Sequence, residues 1–173
     1  MLEAKDIGLM LRYSFFDDLS GLEVEASSYR PVCSAGGLHP VVVHVCILSC
    51  QGIESGVYLY QPQKHSIALE YASSTYVRKL LKPLIDSYSL KNEPEPNAVF
   101  LFELNPELVR QKYPNSWVSL ALRDVGCATQ QLSLLASYFG RGGCPYSGAR
   151  IPDLGPAIRI SGSAIIVGGF SLW

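Results

Sequence analysis

The stretch Ser28-Tyr-Arg-Pro-Val-Cys-Ser-Ala-Gly-Gly-Leu-His-Pro40, running into the apolar segment Val41–Leu48, organises the reading of this chain. An arginine, a serine and two glycines stand just before a β-branched run. Glycines let backbone N–H groups come close to a ligand, and an arginine nearby can grip a phosphate. The loop therefore suits a phosphate-bearing cofactor, although Gly-Gly before a strand is equally an ordinary turn.

Working outward, Val41–Leu48 lacks polar alternation and reads as a strand covered on both faces. His44 inside it reads as a satisfied core histidine rather than a ligand. Gly56–Tyr60 and His65–Glu70 flank Gln61-Pro-Gln-Lys64 and read as a β-hairpin. Ser73 or Ser74 opens a helix to about Tyr88, with Val77, Leu80, Leu81, Leu84 and Ile85 on one face and Pro83 expected to kink or shorten it. Lys91–Asn97 is a proline-rich surface loop. Ala98–Leu104 is a second buried strand, after which Asn105 as cap and Pro106 at the first helical position open a short helix ending near Lys112-Tyr113-Pro114.

Ser116 then caps the longest pattern, Trp117 to Phe139, closed by Gly140. Leu120, Ala121, Ala128, Leu132, Leu135 and Phe139 line one side, and Leu122, Val125 and Leu134 form a second apolar stripe. A helix of ~23 residues spans ~34 Å, and apolar character on more than one side predicts a central, buried position. Gly140–Pro156 reads as a long loop, and Ala157–Ile160 and Ser163–Val167 as strands. Before the glycine loop, Leu9, Leu11, Phe15 and Phe16 anchor a first helix or loop.

At 173 residues the chain reads as one domain over 1–173. Apolar residues make up 48% of it and charged residues 17%, which predicts contact with a partner or a second copy. A net charge of −1 gives no basic field for nucleic acid. No apolar run reaches the ~18–20 residues of a membrane helix, and the N-terminus lacks a signal-peptide pattern. Five cysteines, Cys33, Cys46, Cys50, Cys127 and Cys144, show no paired spacing; reduced thiols in the cytoplasm are expected. Cys33 reads as a small buried hydrophobe rather than a reactive thiol. His39, His44 and His65 do not fall at metal-ligand spacing with the cysteines, so no zinc site is expected.

The glycine fingerprint of a dinucleotide site, the P-loop lysine and the G-x-S-x-G nucleophile elbow are all missing from the sequence. Lys112-Tyr113 places two groups of high ordinary pKa together at a helix end. Burial or mutual proximity can tune such a pair to take a proton near neutral pH; a solvated lysine beside a packing tyrosine satisfies the same residues.

Arg30-Pro-Val-Cys-Ser-Ala-Gly-Gly-Leu-His-Pro40 resembles the R-x-x-P-S-A-G-G-L-x-P stretch of the nitroreductase superfamily, and of its thiazole/oxazole (azoline) dehydrogenase branch in particular. Gly56–Tyr60 with His65 is similar to that branch's G-V-Y-x-Y-x-P-x-x-H hairpin. Lys112-Tyr113 resembles its Lys-Tyr pair, and Asp124-Val-Gly126 with Gln130-Gln131-Leu132 resembles the D/E-x-G-H-x-x-Q-N-L of its central helix. The motifs run in the same order from about Arg30 to Gly143.

The resemblance implies an α+β, nitroreductase-like fold: a central antiparallel or mixed sheet, a long buried helix and an intertwined homodimer binding FMN. It implies an FMN-dependent oxidoreductase that aromatises thiazoline or oxazoline rings in a ribosomally made precursor peptide, beside a cyclodehydratase, as in bacteriocin biosynthesis. Lys112 and Tyr113 would handle the proton and Arg30 the FMN phosphate. Ser34, Ala35, Gly36 and Gly37 would contact the flavin and its chain, joined by Gln130 and by Gly142-Gly143 as a second flavin-side loop. Arg141, Arg150 and Arg159 are further basic residues for the phosphate. The chain departs from the branch at Cys127, where histidine is common, and at Gln131, where asparagine is. It is also expected to be shortened before the flavin loop and after Gly169. A general NAD(P)H-dependent nitro or quinone reductase, and a flavin-free scaffold subunit, are the other two readings.

Overall fold

The computed structural model describes residues 1–18, 29–87, 94–146 and 164–173. A six-stranded sheet runs in the order β3-β2-β1-β4-β6-β5. Its strands are β1 (Val41–Ile47), β2 (Gly56–Gln61), β3 (Ser66–Tyr71), β4 (Ala98–Leu104), β5 (Gly143–Tyr146) and β6 (Ile165–Leu172). Every pairing is antiparallel. Among the described residues four α-helices accompany it: α1 (Ala4–Phe15), α2 (Ser74–Ser87), α3 (Pro106–Lys112) and α4 (Trp117–Tyr138).

The apolar runs of β1 and β4 follow from cover on both faces of the sheet. On one face Val43, Val45, Phe100, Phe102 and Phe170 pack with Ile7, Met10, Leu11 and Phe15 of α1 and with Ala121, Ala128, Leu132 and Ala136 of α4. On the other, Cys46, Val57, Val99 and Leu101 pack with Val77, Leu80 and Leu81 of α2. Alanines at three of the four buried apolar positions of α4 let it lie close to the sheet, where the phenylalanine rings fill the interface. Among the residues expected to anchor the first helix, Leu11 and Phe15 are buried, whereas Leu9 and Phe16 are half-buried.

His44 is the satisfied core histidine its context predicts. It is 1% exposed, and its ring nitrogens Nδ1 and Nε2 meet Glu70 Oε2 of β3 and Glu103 Oε2 of β4, each at 2.8 Å.

Helix ends are set by local chemistry. The Asn105 side chain accepts from the Glu107 N–H at 3.2 Å with Pro106 in the first turn. Gly140, at φ +66, ends α4 in the left-handed region. The Arg141 and Gly140 N–H groups return to the carbonyls of Ala136 and Ser137 at 2.8 and 3.1 Å, so the end is a Schellman motif.

Three expectations change. Gly140–Pro156 is not wholly loop, because Gly143–Tyr146 pairs with β6 as an edge strand. The last strand is Ile165–Leu172 rather than Ser163–Val167, since its register against β4 carries it to Leu172 opposite Ala98. Only one side of α4 is buried in the single chain: Val118, Leu122, Leu134 and Tyr138 are exposed, because one sheet can cover one helix face. α2 continues past Pro83 to Ser87. The strand expected at Ala157–Ile160, residues 88–93, Arg150 and Arg159, and the side chains of Leu84 and Ile85, lie outside the described residues. Among the described residues no helix is long and apolar enough to cross a membrane, and no cluster of metal ligands occurs.

Candidate functional site

The glycine loop folds as a single turn of 3-10 helix, Ala35–Gly37, directly before β1. Gly36 and Gly37 have φ of +62° and +68°, the left-handed region that glycine enters without a Cβ penalty. Asp124, on the buried side of α4, holds this turn. Its carboxylate accepts from Ser34 Oγ at 2.6 Å and from the Ala35 N–H at 3.1 Å. Ser34 Oγ in turn accepts from the His39 N–H at 2.9 Å. A 4% exposed carboxylate thus spends its lone pairs on the loop, giving it one shape.

Lys112 and Tyr113 reach the same turn from α3. Pro114 disfavours helical geometry in the residue before it, and Tyr113 leaves the helix at φ −132°, ψ 67°. The pair then lies over Gly36. Lys112 Nζ donates to the Gly36 carbonyl at 3.3 Å. A Cβ on Gly36 would stand 2.5 Å from the Tyr113 hydroxyl and 2.8 Å from Lys112 Nζ, so the glycine's missing side chain is what lets the pair approach.

Loop, pair and helix enclose an open cleft of about 410 Å³, lined by Ser34, Gly36, Tyr113, Leu120, Arg123 and Asp124 with Cys33 and Cys127 at its edge. That volume falls within the range of small-molecule sites. Arg30 lies on the other side of the loop, by a cavity of about 20 Å³, room for about one water. Its guanidinium meets Asp17 at 3.5 Å, a long contact. Burial pulls Arg30 below its ordinary pKa, against the attraction of Asp17. Arg30 Nε and Asp17 Oδ1 are buried without a hydrogen-bond partner among the described residues.

The structure therefore brings Arg30, Ser34, Ala35, Gly36, Gly37, Lys112 and Tyr113 to one locality. Gln130 is exposed on α4, and Gly142-Gly143 lie past that helix's far end. A Cβ on Gly143 would run into the Phe170 ring, and the Gly142 carbonyl accepts from the Trp173 N–H at 2.9 Å. Arg141 is engaged by Asp6 at 2.5 Å. Asp124 as the loop's anchor and Arg123 as the cleft's cation were not assigned these roles from the sequence. The acidic residue of the D-x-G motif was the available signal for Asp124.

No protein-family model matches the chain. A chain of the E. coli microcin synthetase McbBCD complex, solved with truncated pro-MccB17 bound, superposes with a TM-score of 0.72 at 21% identity, covering 99% of this chain and 63% of that one. A Ralstonia eutropha protein assigned as a nitroreductase gives 0.71 at 15% identity, covering 97% and 71%. One from Anabaena variabilis gives 0.76 at 15%, covering 97% and 34%. The fold is that of a nitroreductase. In sequence, this nitroreductase-like chain is 25% identical over 114 residues to a Methanocaldococcus jannaschii protein assigned as a nitroreductase, which covers 66% of this chain and 56% of that protein. The chain thus spans little more than half the length of the curated relative it matches.

Proposed function

We propose that this chain is the catalytic module of an FMN-dependent oxidoreductase, and that its reaction is the oxidation of thiazoline or oxazoline rings in a precursor peptide. The observation that carries the reading is the placement of Lys112 and Tyr113 over Gly36, next to a cleft large enough for a flat ligand. The likeness to a chain of the microcin synthetase complex solved with truncated pro-MccB17 bound supports work on a peptide within a complex; the cyclodehydratase partner rests on the sequence resemblance alone.

The residues present fit a flavin mononucleotide. The missing Cβ at Gly36 brings backbone and the Lys112-Tyr113 pair together beside the cleft, and Arg30 Nε, without a hydrogen-bond partner among the described residues, marks a guanidinium with hydrogen-bonding capacity to spare. FMN, when bound, supplies the two-electron redox chemistry, and the protein supplies binding and orientation. The Ser34–Gly37 turn would hold the ligand's edge with the backbone groups not already given to Asp124, Lys112 and the turn itself. Lys112 and Tyr113 take the proton from the ring carbon, a transfer typically worth 10²–10⁴-fold when a side chain is well placed. Lys112 is kept near Gly36 by its bond to that carbonyl. Arg123, which fronts the cleft, is the cation placed for a phosphate there, and Arg30 would take that role only by giving up its long contact with Asp17 and moving out of a cavity with room for about one water. The exposed apolar residues of α4, Val118 and Leu122 near its start and Leu134 and Tyr138 near its end, support a homodimer in which a second copy covers them.

The relatives assigned as nitroreductases favour a second reading, reduction of nitro compounds or quinones with NAD(P)H. Turnover of an azoline-containing peptide by the FMN-loaded protein tests between them. Lys112→Ala and Tyr113→Phe should abolish ring oxidation with the flavin spectrum retained; normal turnover in both variants would contradict the assignment. Fast flavin bleaching by NAD(P)H with no peptide oxidised would favour the reductase.

A further inference from the structure

Two thiols meet at the edge of the cleft. Cys33, expected to be a small buried hydrophobe, is instead exposed in the loop, and its thiol donates to Cys127 Sγ on α4 at 3.5 Å. The residues are 94 apart in sequence, so their meeting is a product of the fold. The backbone on both sides is already tied: Ser34 and Ala35, next to Cys33, bind Asp124, one helical turn before Cys127. A disulfide needs a sulfur separation of about 2.0 Å, a closure of about 1.5 Å from the observed 3.5 Å.

Among the described residues, the other thiols are placed differently. Cys46 is fully buried in β1, where burial pushes its thiol up. Cys50 and Cys144 donate to the carbonyls of Gln51 and Pro145. Burial and the contact with Cys33 also raise the Cys127 thiol, while the Arg123 guanidinium opposes them. An exposed thiol beside a half-buried one is the arrangement of an attacking and a resolving pair.

We propose that Cys33 and Cys127 form a reversible dithiol–disulfide pair, an oxidation site for hydrogen peroxide that ties the glycine loop to α4. The peroxide transfers one oxygen to the Cys33 thiol, giving a sulfenic acid and water. The Cys127 sulfur then displaces the hydroxyl as a second water and forms the S–S bond. Two electrons leave the sulfurs and reduce the O–O bond. A small dithiol reverses the change by forming its own disulfide. Both thiols line the cleft assigned to the flavin, but the chemistry needs only the two thiols and a peroxide.

The test treats the purified full chain with hydrogen peroxide and follows intact mass, chymotryptic peptides and melting temperature, before and after dithiothreitol. Chymotrypsin, cutting at Leu38 and Leu48, separates Cys33 from Cys46 and Cys50. The expected result is loss of two hydrogens, a peptide linking Cys33 to Cys127, and a melting temperature higher by about 5 °C, all reversed by dithiothreitol. Cys127→Ser should instead let excess peroxide carry Cys33 past the sulfenic acid to sulfinic acid, a gain of two oxygens that dithiothreitol does not reverse. Separate oxygen additions on both wild-type cysteines with no linked peptide, or a Cys33 bridge between two chains, would overturn the proposal.

Discussion

Ser34 Oγ donates to Asp124 Oδ2 at 2.6 Å, joining the glycine loop to the central helix across 90 residues of sequence. The same carboxylate takes the Ala35 N–H, so one buried side chain decides how Gly36 is presented to Lys112 and Tyr113. A site assembled this way is shaped before any ligand arrives, which lowers the ordering cost of binding.

Asp124→Ala strands the Ser34 hydroxyl and the Ala35 N–H. The expected loss is about 2 kcal/mol of stability, read as a lower urea midpoint with unchanged slope, together with weaker flavin binding in a titration. Asp124→Asn, which keeps one acceptor oxygen, should lose less. Equal stability and affinity in all three proteins would show that the loop is shaped by other contacts.

Gly36→Ala tests the cradle. The left-handed conformation costs a non-glycine residue about 1–2 kcal/mol, and the new methyl would press on the ends of two flexible side chains. The fold should survive while Lys112 and Tyr113 move away, lowering kcat by at least about tenfold, or 1.4 kcal/mol, with the circular dichroism spectrum unchanged.

His44→Ala should be among the most damaging substitutions far from the cleft. It leaves the Glu70 and Glu103 carboxylates facing one another without the ring between them. Leaving a buried polar group without its partner costs about 1–3 kcal/mol, and the loss falls mainly on Glu103, since Glu70 keeps 19% side-chain exposure. Replacing all three residues with apolar ones should recover much of the loss in equilibrium unfolding.

A pH effect follows from His65. Burial first, and then the Arg12 charge, hold its pKa below the ordinary 6.5, and the Tyr60 hydroxyl lies 2.9 Å from Nδ1. The folded state then binds fewer protons than the unfolded state as pH falls past 6.5. Stability from this residue is therefore full above that pH and is lost as pH drops through the folded value. Urea midpoints between about pH 7.5 and 5 should decline on the acid side, and Arg12→Ala should reduce the decline; a flat profile would contradict it.

Much of the fold was legible because its signals are local. β4, the hairpin of β2 and β3, the Asn105-Pro106 start of α3 and the Gly140 end of α4 each carry their instructions within a few residues. β5 was not legible: glycine and proline at 143–146 describe a loop, and only pairing with β6 makes them a strand. The outer stripe of α4 read as buried because an apolar pattern does not say whether its own chain or another covers it. At the site, the glycine turn and Lys112-Tyr113 could be named from spacing and resemblance. Asp124 beneath the turn, Asp17 against Arg30 and the Cys33–Cys127 contact join residues 13 to 94 positions apart, and no local pattern encodes them.

The visible absorption spectrum of the purified protein, with heat-released cofactor identified by chromatography, tests the flavin cleft most directly. The account predicts a yellow protein that holds, or takes up from added FMN, close to one FMN per chain, and loses affinity in the Asp124→Ala variant. A colourless protein that fails to take up added FMN would contradict it, return Lys112 and Tyr113 to a surface pair, and point to a flavin-free scaffold.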